Sequence, residues 1–209
     1  MALRLEDALA ACPVVAIFRG VTPDEASAHV EALFQAGVRA VEVPLNSPQP
    51  LESVRRIAEA FAGRMAVGAG TVLSPAQVDE VAAAGGRIVV SPNTRPDVIR
   101  RTLDLGLEPV PGFATATEAF DAYEAGARRL KLFPAATYGT THLRQLRAVL
   151  PADADVWAVG GVGPDAMAQW WEAGARGFGL GGELYRPGQD AAQTREKAQR
   201  VVAAARALG

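Results

Sequence analysis

The 209-residue chain is 49% hydrophobic and 21% charged, a balance that predicts one globular domain over residues 1–209 with a substantial core. Its net charge of −2 and scattered arginines give no basic stripe, which argues against a nucleic-acid partner, and no apolar run approaches the roughly 20 residues of a membrane span. Cys12 is the single cysteine, so an internal disulfide and a multi-cysteine metal site are excluded and a small buried filler is expected.

Met1 to Ala11 carry Arg4, Glu6 and Asp7, which suits a short leading helix in a cytoplasmic protein and not the apolar stretch of a signal peptide. The first β-rich run, Val14 to Arg19, is followed by Thr22-Pro23-Asp24-Glu25: a hydroxyl cap, a proline at the first helical position and a reciprocal glutamate. The helix this opens, Asp24 to Ala36, carries Ala26, Val30, Leu33 and Phe34 as one apolar stripe and ends at Gly37. The pattern then recurs. Ala40 to Leu45 and Met65 to Val72 read as strands two and three, and Ser74-Pro75-Ala76-Gln77 starts another helix. Arg87 to Pro92 and Glu108 to Ala114 follow, then the Thr115 to Glu118 capping box, Arg129 to Pro134, Asp155 to Val162 and Gly177 to Leu184. Glycines at 85, 106, 126 and 174 close helices just before these runs, and Ala198, Val201, Val202, Ala205 and Leu208 form the stripe of a final helix.

Eight strand and helix units in strict alternation predict a parallel sheet, since parallel strands need long crossovers. At roughly 24 residues per unit the chain suits a single (β/α)8 TIM barrel with a short N-terminal helix. The rival is an open doubly wound sheet, but Arg19-Gly20-Val21-Thr22 after the first strand lacks its glycine fingerprint.

In a barrel, alternate side chains face the interior, and reactive groups gather at the C-terminal strand ends. Parity sends Glu42 inward from Val41-Glu42-Val43 and Lys131 inward from Leu130-Lys131-Leu132; it also sends Arg19 inward beside Ile17 and Thr71 inward beside Ala69. Only two lysines stand against nineteen arginines, so an amine inside an apolar run points to chemistry that arginine is unable to do: loss of a proton and attack on a carbonyl carbon. A structural ion pair is the bland alternative, though desolvation makes such a pair a poor stabiliser. Gly160-Gly161 and Gly181-Gly182 close strands seven and eight, where barrels hold phosphate on backbone N–H groups. His29 and His142 read as surface or capping residues, Trp170 and Trp171 as packing residues on a helix, and Lys197 as solvated. Tyr138 and Tyr185 lie near strand ends and within range of the cleft.

Glu42-Val43-Pro44-Leu45-Asn46-Ser47-Pro48, Gly68-Ala69-Gly70-Thr71-Val72, Ser91-Pro92-Asn93, Pro111-Gly112, Lys131-Leu132-Phe133-Pro134 and Val159-Gly160-Gly161-Val162 together resemble the family of 2-keto-3-deoxy-6-phosphogluconate and 6-phosphogalactonate aldolases. The resemblance implies a class I aldolase, independent of metal and cofactor and usually trimeric, that cleaves a phosphorylated keto acid to pyruvate and glyceraldehyde 3-phosphate. It places the Schiff-base amine on Lys131 and the general acid/base on Glu42. It also places carboxylate contacts on Arg19 and Thr71, pocket walls on Pro92 and Phe133, and the phosphate on the two glycine loops. Leu45-Asn46-Ser47 and Val159 ahead of Gly160-Gly161 follow the form of the galactonate branch, where the gluconate branch has Leu-Arg-Thr and Thr-Gly-Gly. Gly182 departs from the family, which leads one to expect a phosphate-binding serine there. The alternatives are a phosphosugar isomerase or phosphate-binding biosynthetic barrel without a lysine adduct, and a non-catalytic barrel that senses a phosphorylated acid.

Overall fold

A computed structural model describes residues 3–208; Met1, Ala2 and Gly209 lie outside the described residues. Helix α1 (Leu5–Ala11) precedes β1 (Val14–Ile17), α2 (Pro23–Ala36), β2 (Ala40–Pro44), α3 (Pro50–Ala60), β3 (Ala66–Gly70), α4 (Pro75–Ala83), β4 (Ile88–Val90) and α5 (Pro96–Asp104). Then come β5 (Glu108–Val110), β6 (Gly112–Phe113), α6 (Ala116–Glu124), β7 (Arg129–Leu132), α7 (Ala135–Arg147, with a break at Gly139), β8 (Asp155–Val159), α8 (Met167–Glu172), β9 (Gly177–Leu180) and α9 (Ala191–Arg206). Neighbouring strands pair in parallel in the order β5-β4-β3-β2-β1-β9-β8-β7-β6. Because β5 and β6 are consecutive in the chain, the two ends of that order meet, and the sheet closes into an α/β barrel.

The predicted fifth strand is thus two short ones. Pro111 lacks an N–H and interrupts the ladder; β5 pairs with β4, β6 pairs with β7, and the Pro111 carbonyl accepts from Lys131 N at 2.8 Å. The helix starts follow the sequence signals. Thr22 N donates to Glu25 Oε1 at 2.8 Å, Thr115 N donates to Glu118 Oε2 at 2.8 Å, and the Ser74 hydroxyl accepts from Gln77 N at 3.3 Å. Gln77 itself reaches Leu73 N, one residue earlier than a capping box requires.

Two apolar layers follow from strand parity. Val41, Val43, Val67, Ala69, Leu130, Leu132, Val156 and Ala158 pack outward with the helices. Val15, Ala40, Ala66, Ile88, Val90, Val110, Trp157 and Val159 fill the interior, joined by Leu5 and Ala8 of α1. Ala69 therefore corrects the expected parity of the third strand: it faces the helices, and Ala66, Gly68 and Gly70 face inward. Thr71 lies beyond the strand at φ 58°, so alternation does not govern it. His29 and Lys197 are corrected too, whereas Trp170, Trp171 and Cys12 pack as expected. His29 is buried, not a surface residue, with Nδ1 2.7 Å from Thr194 Oγ1 and its ring against Phe18 and Tyr185. Trp170 is buried in this chain's own core, and Trp171 stacks on Phe178. Lys197 is half-buried, with Nζ bonded to Gln189 Oε1 at 2.7 Å. Cys12 is buried, and desolvation pushes its thiol up to about 11. Among the described residues no helix is long and apolar enough to cross a membrane, and no group of His, Cys, Asp and Glu is assembled to hold a metal.

Candidate active site

Of the predicted site residues, Glu42 and Lys131 lie within strands and the others at or just past the C-terminal ends. Arg19 follows β1, Glu42 is in β2, Thr71 follows β3, and Pro92 lies two residues after β4. Lys131 is in β7, Phe133 follows it, Val159 ends β8, and the two glycine pairs follow β8 and β9. A cavity of about 570 Å³ opens there and brings together Arg19, Lys131, Phe133, Val159, Gly160, Gly161, Gly181 and Gly182. Glu42, Thr71 and Pro92 are not on its wall. Nor is Tyr138, which is exposed and stacked on His142.

Register fixes the inward aim of the two buried charges. Lys131 aligns with Gly112 on one side and Trp157 on the other, and its strand neighbours Leu130 and Leu132 pack outward. Glu42 aligns with Ile17 and Gly68. Lys131 is 6% exposed and Glu42 2%. A Cβ on Gly70 would stand 2.1 Å from Glu42 Oε2, so the carboxylate depends on a residue with no side chain beside it. That oxygen makes no hydrogen bond to the protein.

Burial therefore dominates the titration of both groups. Desolvation pushes the Glu42 carboxyl up to about 7, against the opposing pull of Lys131 and Arg19. Desolvation likewise holds the Lys131 ammonium below the usual lysine range; Glu42 opposes this shift and the like charge of Arg19 adds to it. The Phe133 ring, with its centroid 4.5 Å from Nζ, supplies an apolar wall. The result is a carboxyl that exchanges its proton near neutrality beside an amine whose hold on its proton burial weakens.

The β1 and β2 loops are tied together. Arg19 Nη1 donates to Asn46 Oδ1 at 2.6 Å, and Gly20 N donates to the Ser47 hydroxyl at 2.9 Å. Asn46 thus aims the guanidinium, which gives a structural role to a residue the sequence marked only as a branch signature. At the other rim Gly160 and Gly161 both adopt positive φ, 94° and 73°, and the Gly160 carbonyl accepts from Ala136 N at 3.0 Å. Thr71 at φ 58° is a β-branched residue in the left-handed region, a strained conformation of the kind that concentrates at functional sites.

Sequence reasoning missed Glu183, Arg186 and Pro187, which also line the cavity. Glu183 falls within the expected last strand with no mark of a site, and Arg186 and Pro187 follow it in a segment that reads as loop. Tyr185 does reach the cavity; it is buried, and its hydroxyl donates to Glu25 Oε1 at 3.1 Å.

Residues 5–201 match the family model described as KDPG and KHG aldolase. The chain belongs to that aldolase family. Within it, the chain is 51% identical to the 2-dehydro-3-deoxy-6-phosphogalactonate aldolase of Escherichia coli (strain K12), over 93% of this chain and 95% of the relative. It is 45% identical to a probable 2-dehydro-3-deoxy-6-phosphogalactonate aldolase of Rhizobium meliloti (strain 1021), over 92% of this chain and 91% of the relative. Among solved structures of the aldolase family, one described as a native KDPGal structure superposes with a TM-score of 0.93 at 48% identity, covering 100% of this chain and 98% of that one.

Proposed function

We propose that the protein is a class I aldolase that cleaves 2-dehydro-3-deoxy-6-phosphogalactonate to pyruvate and D-glyceraldehyde 3-phosphate. The observation that carries this reading is the buried Lys131 amine, held below the ordinary lysine range and facing the barrel interior in electrostatic contact with Glu42. Neutral Lys131 attacks the ketone at carbon 2, and loss of water leaves a protonated imine that accepts electrons. The Glu42 carboxylate, directly or through a water molecule, takes the proton from the carbon-4 hydroxyl. The bond between carbons 3 and 4 breaks, its electron pair passes into the imine, and glyceraldehyde 3-phosphate departs. Protonation of the enamine at carbon 3 and hydrolysis then return pyruvate and free Lys131.

Arg19 and Thr71 hold the substrate carboxylate, Pro92 and Phe133 shape the pocket, and Gly160, Gly161, Gly181 and Gly182 receive the phosphate. Val159 stands at the end of β8 on the cavity wall, where an apolar side chain in place of a hydroxyl favours one carbon-4 epimer. The identity to galactonate-branch relatives supports that choice over the gluconate epimer. Residues 1–209 act as one domain, and the reading includes a cytoplasmic homotrimer, which sedimentation equilibrium tests.

Borohydride reduction in the presence of pyruvate is expected to add a covalent mass at Lys131. Labelling at Lys197, or none, rejects the mechanism in favour of an isomerase or a non-catalytic binder. Side-by-side cleavage of the two carbon-4 epimers decides the substrate; a preference for the gluconate epimer overturns the galactonate assignment.

A further inference from the structure

We propose that the guanidinium of Arg186 binds the substrate's phosphate group, from the place a side chain at position 182 would otherwise fill. The inference rests on the aldolase reading and deepens it by naming a cationic contact beyond the glycine loops. Arg186 lines the same cavity as Lys131, Gly160, Gly161, Gly181 and Gly182. A Cβ built at Gly182 would lie 3.2 Å from Arg186 Nε and 3.6 Å from Nη2, so the guanidinium covers the spot where a serine hydroxyl would stand.

Among the described residues only Nε is committed: it donates to the Gly182 carbonyl at 3.1 Å, which leaves the Nη fork for an anion. Arg186 forms no ion pair among the described residues. Glu183, the nearby acid on the cavity wall, is drawn aside over Gly163, with its carboxyl carbon 3.6 Å from where a Cβ there would stand. Lys197 adds a second positive charge behind the loop, with Nζ 3.4 Å from the same Gly182 carbonyl.

The turn that carries Arg186 is held from beneath by one amide. Gln189 accepts from Arg186 N at 3.1 Å and from Lys197 Nζ at 2.7 Å, and donates to the Leu184 carbonyl at 2.8 Å and to Thr194 Oγ1 at 2.6 Å. Thr194 continues the chain of contacts to buried His29 at 2.7 Å. The brace holds the main chain at Arg186, and the exposed side chain is tied back by its Nε bond to the Gly182 carbonyl.

The test is the condensation direction, with pyruvate as donor and two acceptors, glyceraldehyde 3-phosphate and glyceraldehyde, compared as a ratio of kcat/KM. Arg186→Gln keeps an amide able to reach the Gly182 carbonyl and removes the charge. The expected result is a preference for the phosphorylated acceptor reduced roughly ten- to hundredfold, carried in KM more than in kcat. A purely structural role would depress both acceptors together, and an unchanged ratio in folded R186Q overturns the assignment. Should R186Q not fold, Arg186→Met, which also removes the charge, is read the same way, with an unchanged ratio overturning the assignment. Pyruvate trapping on the unaltered protein separates this assignment from its premise: trapping at Lys131 with an unmoved R186Q ratio removes Arg186 alone, whereas no trapping removes the aldolase reading and Arg186 with it.

Discussion

Ala40 and Glu42 are two residues apart on β2 and both point into the barrel, yet one belongs to the seal and the other to the proposed chemistry. Toward the N-terminal end, Ala40 packs with Val15, Ala66, Ile88, Val110 and Trp157 under Leu5 and Ala8 of α1, and the interior is apolar. About 6–7 Å further along the strand, by the rise of two residues, Glu42 is equally buried but carries an oxygen without a hydrogen-bond partner, facing the charge of Lys131. The same alternation of inward positions thus makes a closed floor and a reactive upper layer. Burial is common to both; the difference is that the upper layer buries ionisable groups, whose proton affinities burial must move.

The largest effect that would break this contrast comes from Lys131→Arg. It keeps a cation but loses the capacity to form an imine, and kcat for cleavage is expected to fall by about 10⁴-fold or more with the fold retained, as read by product assay and circular dichroism. Glu42→Gln comes next, with kcat down roughly 10²–10⁴-fold. In the unaltered protein kcat/KM should decline as pH falls through about 7, where Glu42 takes up its proton; this limb should vanish in E42Q.

Stability should move the opposite way in E42Q. The folded carboxyl titrates at about 7 against 4.5 ordinarily, so the unfolded chain releases this proton first, and the group destabilises the fold increasingly as pH rises from 4.5 through 7. Urea unfolding is expected to favour E42Q over the unaltered protein by up to about 3 kcal/mol more at pH 8 than at pH 5. Leu5→Ala sharpens the other side of the comparison: it should cost about 2–3 kcal/mol of stability while kcat stays unchanged, because it thins the floor and touches no reacting group. The smallest shift is expected from Val159→Thr, which should move the epimer preference toward the gluconate form by roughly tenfold, read from parallel cleavage assays.

Much of this was legible in the chain. Helix starts at Thr22, Ser74 and Thr115 are local chemistry, and the inward aim of Glu42 and Lys131 follows from alternation between aliphatic neighbours. Parity failed at Ala69 because the inward face of β3 is Gly68 and Gly70, residues with no side chain to betray a direction; the reasons for their smallness, the close approach of Ile88 at Gly68 and room for Glu42 at Gly70, are visible only across strands. Pro111 was in plain sight as a strand breaker, but its use as the closing join of the barrel is a property of topology. His29 was misplaced because its partners Thr194 and Tyr185 lie more than 150 positions away. Arg186 gave no periodic signal at all, since a loop cation becomes meaningful only when the fold lays it over Gly182.

The join at Pro111 also bears on how the barrel breathes. There the circuit of strands passes through a three-residue strand and then a two-residue one, the shortest strand in the ring, so transient loosening of the cylinder is expected to start at that seam. The main-chain amide of Lys131 sits on it, donating to the Pro111 oxygen. Deuterium uptake at that amide should therefore outpace uptake along β2, giving the lysine's strand a freedom that the strand of its acidic counterpart lacks.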